Sequence, residues 1–163
     1  MRVKLIASVV LSVFATAASA ASIDTPYGLS AIHQDFLSQL KDVASEPGDV
    51  GVAARAAVGV LEPHIELEES VVLPVLNHAV DAAAGKSFLN PALPARLARL
   101  KAELPLLLDA ETNLFGTLVE LYAVADADGR SDIVQLAERM IWHETNDAEI
   151  LYPAAVLVGD TAR

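Results

Sequence analysis

Two short stretches of the chain combine residue types and spacing that suit metal chemistry. His64 is followed four residues later by Glu68 and ten residues later by Pro74. His143 is followed by Asp147 and Pro153 at the same offsets. On an α-helix four residues turn through about 400°, so each histidine and its carboxylate share a face one turn apart. A neutral imidazole and a carboxylate aimed the same way can hold one metal ion or bridge two. One such pair is common in helical sequence. Two in register, each trailed by proline, point to a built site.

Helices must position these pairs. Pro26 at a first helical position, then Leu29, Ile32, Phe36, Leu37, Leu40 and Val43, predict helix A over about 26–45, with His33 in its apolar stripe. Glu46-Pro47-Gly48-Asp49 is a breaker. Helix B follows over about 50–84, interrupted at Pro63, which predicts a kink beside His64, and at Pro74. Asn90-Pro91 starts a helical piece that Pro105 breaks or kinks. Helix C runs from there to about Ala125, with Leu108, Phe115, Leu118, Val119 and Tyr122 on its apolar side. Asp126-Ala127-Asp128-Gly129 is a turn. Helix D begins at a Ser131-Asp132 cap and passes through His143 to Pro153 or beyond. Strand signals are absent. Four main helices with short connections predict an all-α, antiparallel four-helix bundle.

The start of the chain reads differently. Met1-Arg2-Val3-Lys4 is basic, Leu5 to Ala17 is apolar, and Ala18-Ser19-Ala20 is an A-x-A cleavage signal. Residues 1–20 therefore read as a signal peptide, with 21–163 as the exported domain, periplasmic or secreted. Loss of Arg2 and Lys4 takes the formal net charge from −11 to −13. So acidic a chain argues against nucleic acid and anionic membranes as partners. The absence of cysteine excludes disulfides, iron–sulfur clusters and thiolate chemistry. No Ser-His-Asp order or phosphate-binding glycine loop is present, so binding is favoured over turnover, with an oxidase or peroxide-consuming activity left open.

His64 and His143 are 79 residues apart, and the same shift carries Glu68 onto Asp147, Pro74 onto Pro153, Pro26 onto Pro105, Phe36 onto Phe115, Leu29 onto Leu108 and Leu40 onto Val119. The halves read as two copies of one helical hairpin. Under this shift His33 falls on Thr112. With Ile32-His33-Gln34-Asp35-Phe36 on the leading helix and two His-x3-(Glu/Asp) frames, the chain resembles the hemerythrin-like, or HHE cation-binding, domain over nearly all of 21–163.

That resemblance implies non-haem iron, two ions per chain, in the core of the bundle. It implies His33 and His64 on one iron, His143 on the other, and Glu68 and Asp147 as bridges. It also implies a small diatomic ligand such as oxygen, and a role in oxygen, redox or nitric oxide sensing or binding, or in iron handling. The family's helix C histidine is replaced by Thr112, read as a hydrogen-bonding neighbour of the site. Glu111, beside it on an apolar stripe, is either a substitute metal ligand or a solvated edge residue. A carboxylate in place of imidazole would favour ferric iron over reversible oxygen carriage. The competing readings are a metal-free or mononuclear relic serving as an interaction module, and simple metal storage. His78 is read as surface, Glu66, Glu69, Glu144 and Glu149 as an outer charged face, and Trp142 and Tyr152 as core.

Overall fold

The computed structural model describes residues 27–85 and 90–161. The expected signal peptide, the residues around Asp24-Thr25-Pro26 and Lys86 lie outside the described residues. Those described are helical, with no strand among them. The helices are α1 (Tyr27–Ala44), α2 (Gly48–Val71), α3 (Leu73–Ala83), α4 (Leu93–Ala127), α5 (Ser131–Asn146) and α6 (Tyr152–Thr161). A π-helical turn, Asp147–Leu151, joins α5 to α6. α2 packs along both α1 and α4, α4 along α5, and α3 against α6. No described helix is long and apolar enough to cross a membrane.

The four prolines with long helical context behave in three ways. Pro63 and Pro105 are exposed, and α2 and α4 run through them without interruption. Of the break or kink predicted at Pro105, the break does not occur: α4 is one 35-residue helix. With the ring on the outer face, water can satisfy the carbonyl that the missing N–H leaves free. Pro74 ends regular structure: α2 stops at Val71, and Pro74 falls in the first turn of α3, where no N–H is needed. The Ser70 carbonyl, deprived of the residue-74 donor, instead accepts Arg99 from α4 at 3.3 Å. Pro153 follows the π turn.

The connections use predicted turn residues. Gly48 (φ 87°) opens α2 and Gly129 (φ 70°) leads into α5, both in the left-handed region that costs glycine least. Arg130 reaches across from the second turn to Glu46 in the first, with N–O distances of 2.6 and 3.2 Å, and holds the two at the same end. Ser131 is not the cap that its sequence suggests; Arg130 occupies that position without a side-chain cap bond.

Apolar side chains form two clusters. One gathers Phe36, Leu40, Leu61, Ile65, Leu114, Leu118, Leu121, Ile133, Leu136 and Met140. The other gathers Val71, Val72, Val75, Leu93, Leu100, Leu107, Tyr152 and Ala155. Beyond Pro105 the buried stripe of α4 is Leu107, Glu111, Leu114, Leu118, Leu121 and Ala125, which keeps Leu118 of the predicted face and otherwise lies one residue before it. Leu108 and Val119 are exposed. Trp142, predicted in the core, is 70% exposed, and His78, predicted on the surface, is buried.

A tight approach at the start of α2 gives a stability test. A Cβ at Gly51 would overlap the Glu46 backbone carbonyl, whereas one at exposed, helical Gly116 would meet nothing. Gly51→Ala is expected to destabilise by about 1–3 kcal/mol through overpacking. Gly116→Ala is expected to stabilise by up to about 1 kcal/mol through helix propensity. Thermal melts of the two variants should move in opposite directions; equal shifts would show that the close approach is absent.

Candidate metal centre

Seven ionisable side chains meet in one layer. His33 comes from α1, His64 and Glu68 from α2, Glu111 from α4, His143 and Glu144 from α5, and Asp147 from the π turn. Along α2, α4 and α5–α6 the layer falls between the two apolar clusters: after Leu61 and before Val71 on α2, between Leu107 and Leu114 on α4, and between Met140 and Tyr152 on α5–α6. Six of the seven are buried; the His143 side chain is 13% exposed.

The ligand-type atoms form two groups. His33, His143 and Asp147 offer atoms within 4.8 Å of one another, and so do His64, Glu111 and Glu144. In the first, His143 Nε2 lies 3.2 Å from Asp147 Oδ2, and the His33 and His143 rings stand edge to face at 5.2 Å. In the second, His64 Nε2 lies 3.1 Å from Glu144 Oε2 and 3.5 Å from Glu111 Oε2. Glu68 stands between them, with Oε2 3.4 Å from His33 Nε2 and 3.7 Å from His64 Nε2.

All six residues singled out from the sequence enter this layer, but their grouping differs from the implied one. His33 sits with His143 and Asp147, and His64 belongs to the other group. Thr112 is exposed and its hydroxyl donates to the Leu108 carbonyl, so it is not a neighbour of the site. Glu144, assigned to the outer face, is fully buried in the layer. It continues the stripe Ile133, Leu136, Ala137, Met140, whose 3–4 spacing is visible in the sequence. Glu69 is also no mere surface group. Its Oε1 lies 3.3 Å from His33 Nδ1, which leaves Nε2 to face the layer.

The π turn sets the last contributions. Its Tyr152 N–H donates to the Asp147 carbonyl, five residues back, so Asp147 and Tyr152 come onto one side. The Tyr152 hydroxyl then donates to Glu111 Oε2 at 3.2 Å. Burial raises the Tyr152 pKa, helped by the carboxylates around it.

Burial, then the charges of Asp147 and Glu144, pushes the Glu68 carboxyl up to about 9. Glu111 rises to about 7 through burial and Glu144, partly offset by His64 and Tyr152. Asp147 rises to about 7 through burial and Glu144. For His64, burial works downward but the adjacent Glu144, with Glu111 and Asp147, outweighs it and raises the pKa. Burial lowers that of His143.

The residues fit a metal. Ten nitrogen and oxygen atoms of this layer are buried without a hydrogen bond, including Nε2 of all three histidines and both oxygens of Glu68 and of Glu144. Unpaired buried polar atoms each carry a desolvation cost, and native cores leave few of them. Ten gathered in one layer, nitrogen and carboxylate oxygen together, are groups that a cation could satisfy. Nitrogen and carboxylate donors without sulfur suit iron, zinc or manganese.

These shifts carry a pH consequence. In the metal-free fold Glu68, Glu111 and Asp147 hold their protons to higher pH than in the unfolded chain, so that stability is complete below the ordinary carboxyl pKa and is lost as pH rises through about 7 to 9. His64 acts in the same direction; His143 opposes it as pH falls. The melting temperature of metal-free protein, followed by circular dichroism, should therefore fall between pH 5 and pH 8. A rise over that interval would contradict the layer's protonation.

No protein-family model, curated protein or solved structure matches this chain.

Proposed function

We propose that α1, α2, α4 and α5, with α6 continuing α5, form an antiparallel four-helix bundle of two related hairpins that holds two non-haem iron ions. His33, His143 and Asp147 would hold one ion, His64, Glu111 and Glu144 the other, with Glu68 between them. The observation that carries this reading is the convergence of ten buried, unbonded donor atoms on one layer. Four carboxylates balance two divalent cations in charge; without metal that balance has to come from protons on Glu68, Glu111 and Asp147. When bound, the iron would supply redox chemistry and an open position for a small diatomic ligand such as oxygen.

The chain's own residues support binding at the site in distinct ways. Glu69 orients His33 through Nδ1 and Tyr152 orients Glu111. Both apolar clusters exclude water from the layer on either side. A groove of about 490 Å³ between α1 and α5, flanked by Ile32 and Trp142, reaches His143, and one of about 640 Å³ between α2 and α4 reaches His64. They offer routes for a small ligand. The carboxylate-rich donor set favours ferric iron and oxidation over reversible oxygen carriage. The reading is of an exported protein for oxygen, redox or nitric oxide sensing or binding, or for iron handling.

The test is the iron content of residues 21–163 loaded anaerobically with ferrous iron. Two ions per chain are expected, with a melting temperature well above that of chelator-stripped protein, since a ligand confined to the folded state stabilises it. Glu144→Ala should lose at least one ion, and its apparent metal affinity should fall by about 10-fold or more. Equal melting temperatures with and without metal, and no iron or zinc retained, would mean that the layer is a relic and the bundle itself is the function.

A further inference from the structure

The two halves of the layer differ in donor chemistry. His33, His143 and Asp147 supply two imidazoles and one carboxylate, while His64, Glu111 and Glu144 supply one imidazole and two carboxylates. Glu68 is common to both, within 3.4 Å of His33 and 3.7 Å of His64, and does not alter the contrast. Imidazole suits zinc and iron; carboxylate oxygen suits manganese. The surroundings keep the contrast in place. Glu69 holds His33 with Nε2 toward the layer, and Tyr152 holds Glu111 by its Oε2, leaving Oε1 buried and unbonded. In the second half both Glu144 oxygens are buried and unbonded as well. Around the single imidazole nitrogen His64 Nε2 stand three carboxylate oxygens, Glu144 Oε2 at 3.1 Å, Glu111 Oε2 at 3.5 Å and the shared Glu68 Oε2 at 3.7 Å.

We propose that this is a mixed-metal centre, with an imidazole-preferring ion, zinc or iron, at His33, His143 and Asp147, and manganese(II) at His64, Glu111 and Glu144. The assignment rests on the two-ion site proposed above but not on both ions being iron: iron supplied alone fills both halves, and the preference of each half shows when metals compete. Affinity alone would put zinc ahead of manganese at either half, so a preference becomes visible when zinc is limited to one equivalent.

The test uses metal-stripped protein, zinc and manganese(II), and needs no variant. The chain has four histidines, and His78 lies outside the layer as an internal reference. One equivalent of zinc is added while the imidazole nitrogen signals are followed by nuclear magnetic resonance. The His33 and His143 signals are expected to move and those of His64 and His78 to stay. A fivefold excess of manganese is then added, and elemental analysis after gel filtration should find one zinc and one manganese per chain. Glu144→His should convert the second half, so that two equivalents of zinc are retained and manganese is excluded.

Movement of His64 together with His33 in the first equivalent, or zinc retained with no manganese, would overturn the mixed-metal assignment while leaving metal binding intact. If neither metal is retained and no histidine signal moves, the metal-binding reading itself fails, and the assignment with it.

Discussion

Burial of four carboxylates and three imidazoles in one layer is the constraint on which the rest of this structure depends. Replacing such a layer with packed apolar side chains would usually stabilise a fold, because desolvation of buried charge exceeds what pairing returns. Two apolar clusters, one on each side of the layer, must therefore carry the folding energy. Raised carboxyl pKa values are the same cost seen from the proton's side. Without a cation, Glu68, Glu111 and Asp147 take up protons in order to be buried. A metal ion bound there, as proposed, would displace those protons and so couple loading to pH and to stability at once.

Much of this was legible in the sequence. The 3.6-residue period located the helices, and the two His-x3-acid frames located four of the seven layer residues. His33 and Glu111 were legible as polar residues on apolar stripes. What was hidden is informative. A place next to His143 suggests that Glu144 points outward, yet the α5 stripe through Met140 leads to Glu144 and leaves His143 at the edge. Trp142, one residue before His143, is turned outward by the same geometry, against what its bulk and hydrophobicity suggest. The pairing of His33 with His143 and Asp147 arises from how α1 meets α5, a tertiary fact that no local pattern encodes.

Proline shows how one residue type acquires different structural meanings. Its backbone defect is the same at Pro63, Pro74 and Pro105: a carbonyl four residues earlier loses its donor. Where the ring is exposed the helix runs on. At Pro74 the helix stops at Val71, and Arg99 from α4 supplies the Ser70 carbonyl. Pro153 sits just beyond a π turn, whose extra residue also brings Tyr152 beneath Asp147. An uninterrupted α-helix would set residue 151, not 152, in line with Asp147, and Glu111 would lose its phenol partner. The irregular turn thus lies where the site needs a residue re-aimed, as π turns often do.

Register also explains why the layer is chemically lopsided. A shift of 79 residues superposes the two His-x3-acid frames, but it sets buried Leu40 against exposed Val119 and buried His33 against exposed Thr112. A shift of 78 restores burial on the leading helices: His33 onto Glu111, Phe36 onto Leu114, Leu40 onto Leu118 and Val43 onto Leu121. Under that shift Glu111 is the buried position of α4 that matches buried His33 in α1. On α5 the inward position is shared between His143 at the edge and Glu144 at the centre. Glu111 and Glu144 fall on the His64 side of the layer, while His33 and His143, with Asp147, fall on the other. The unequal halves follow from where each helix places its inward face.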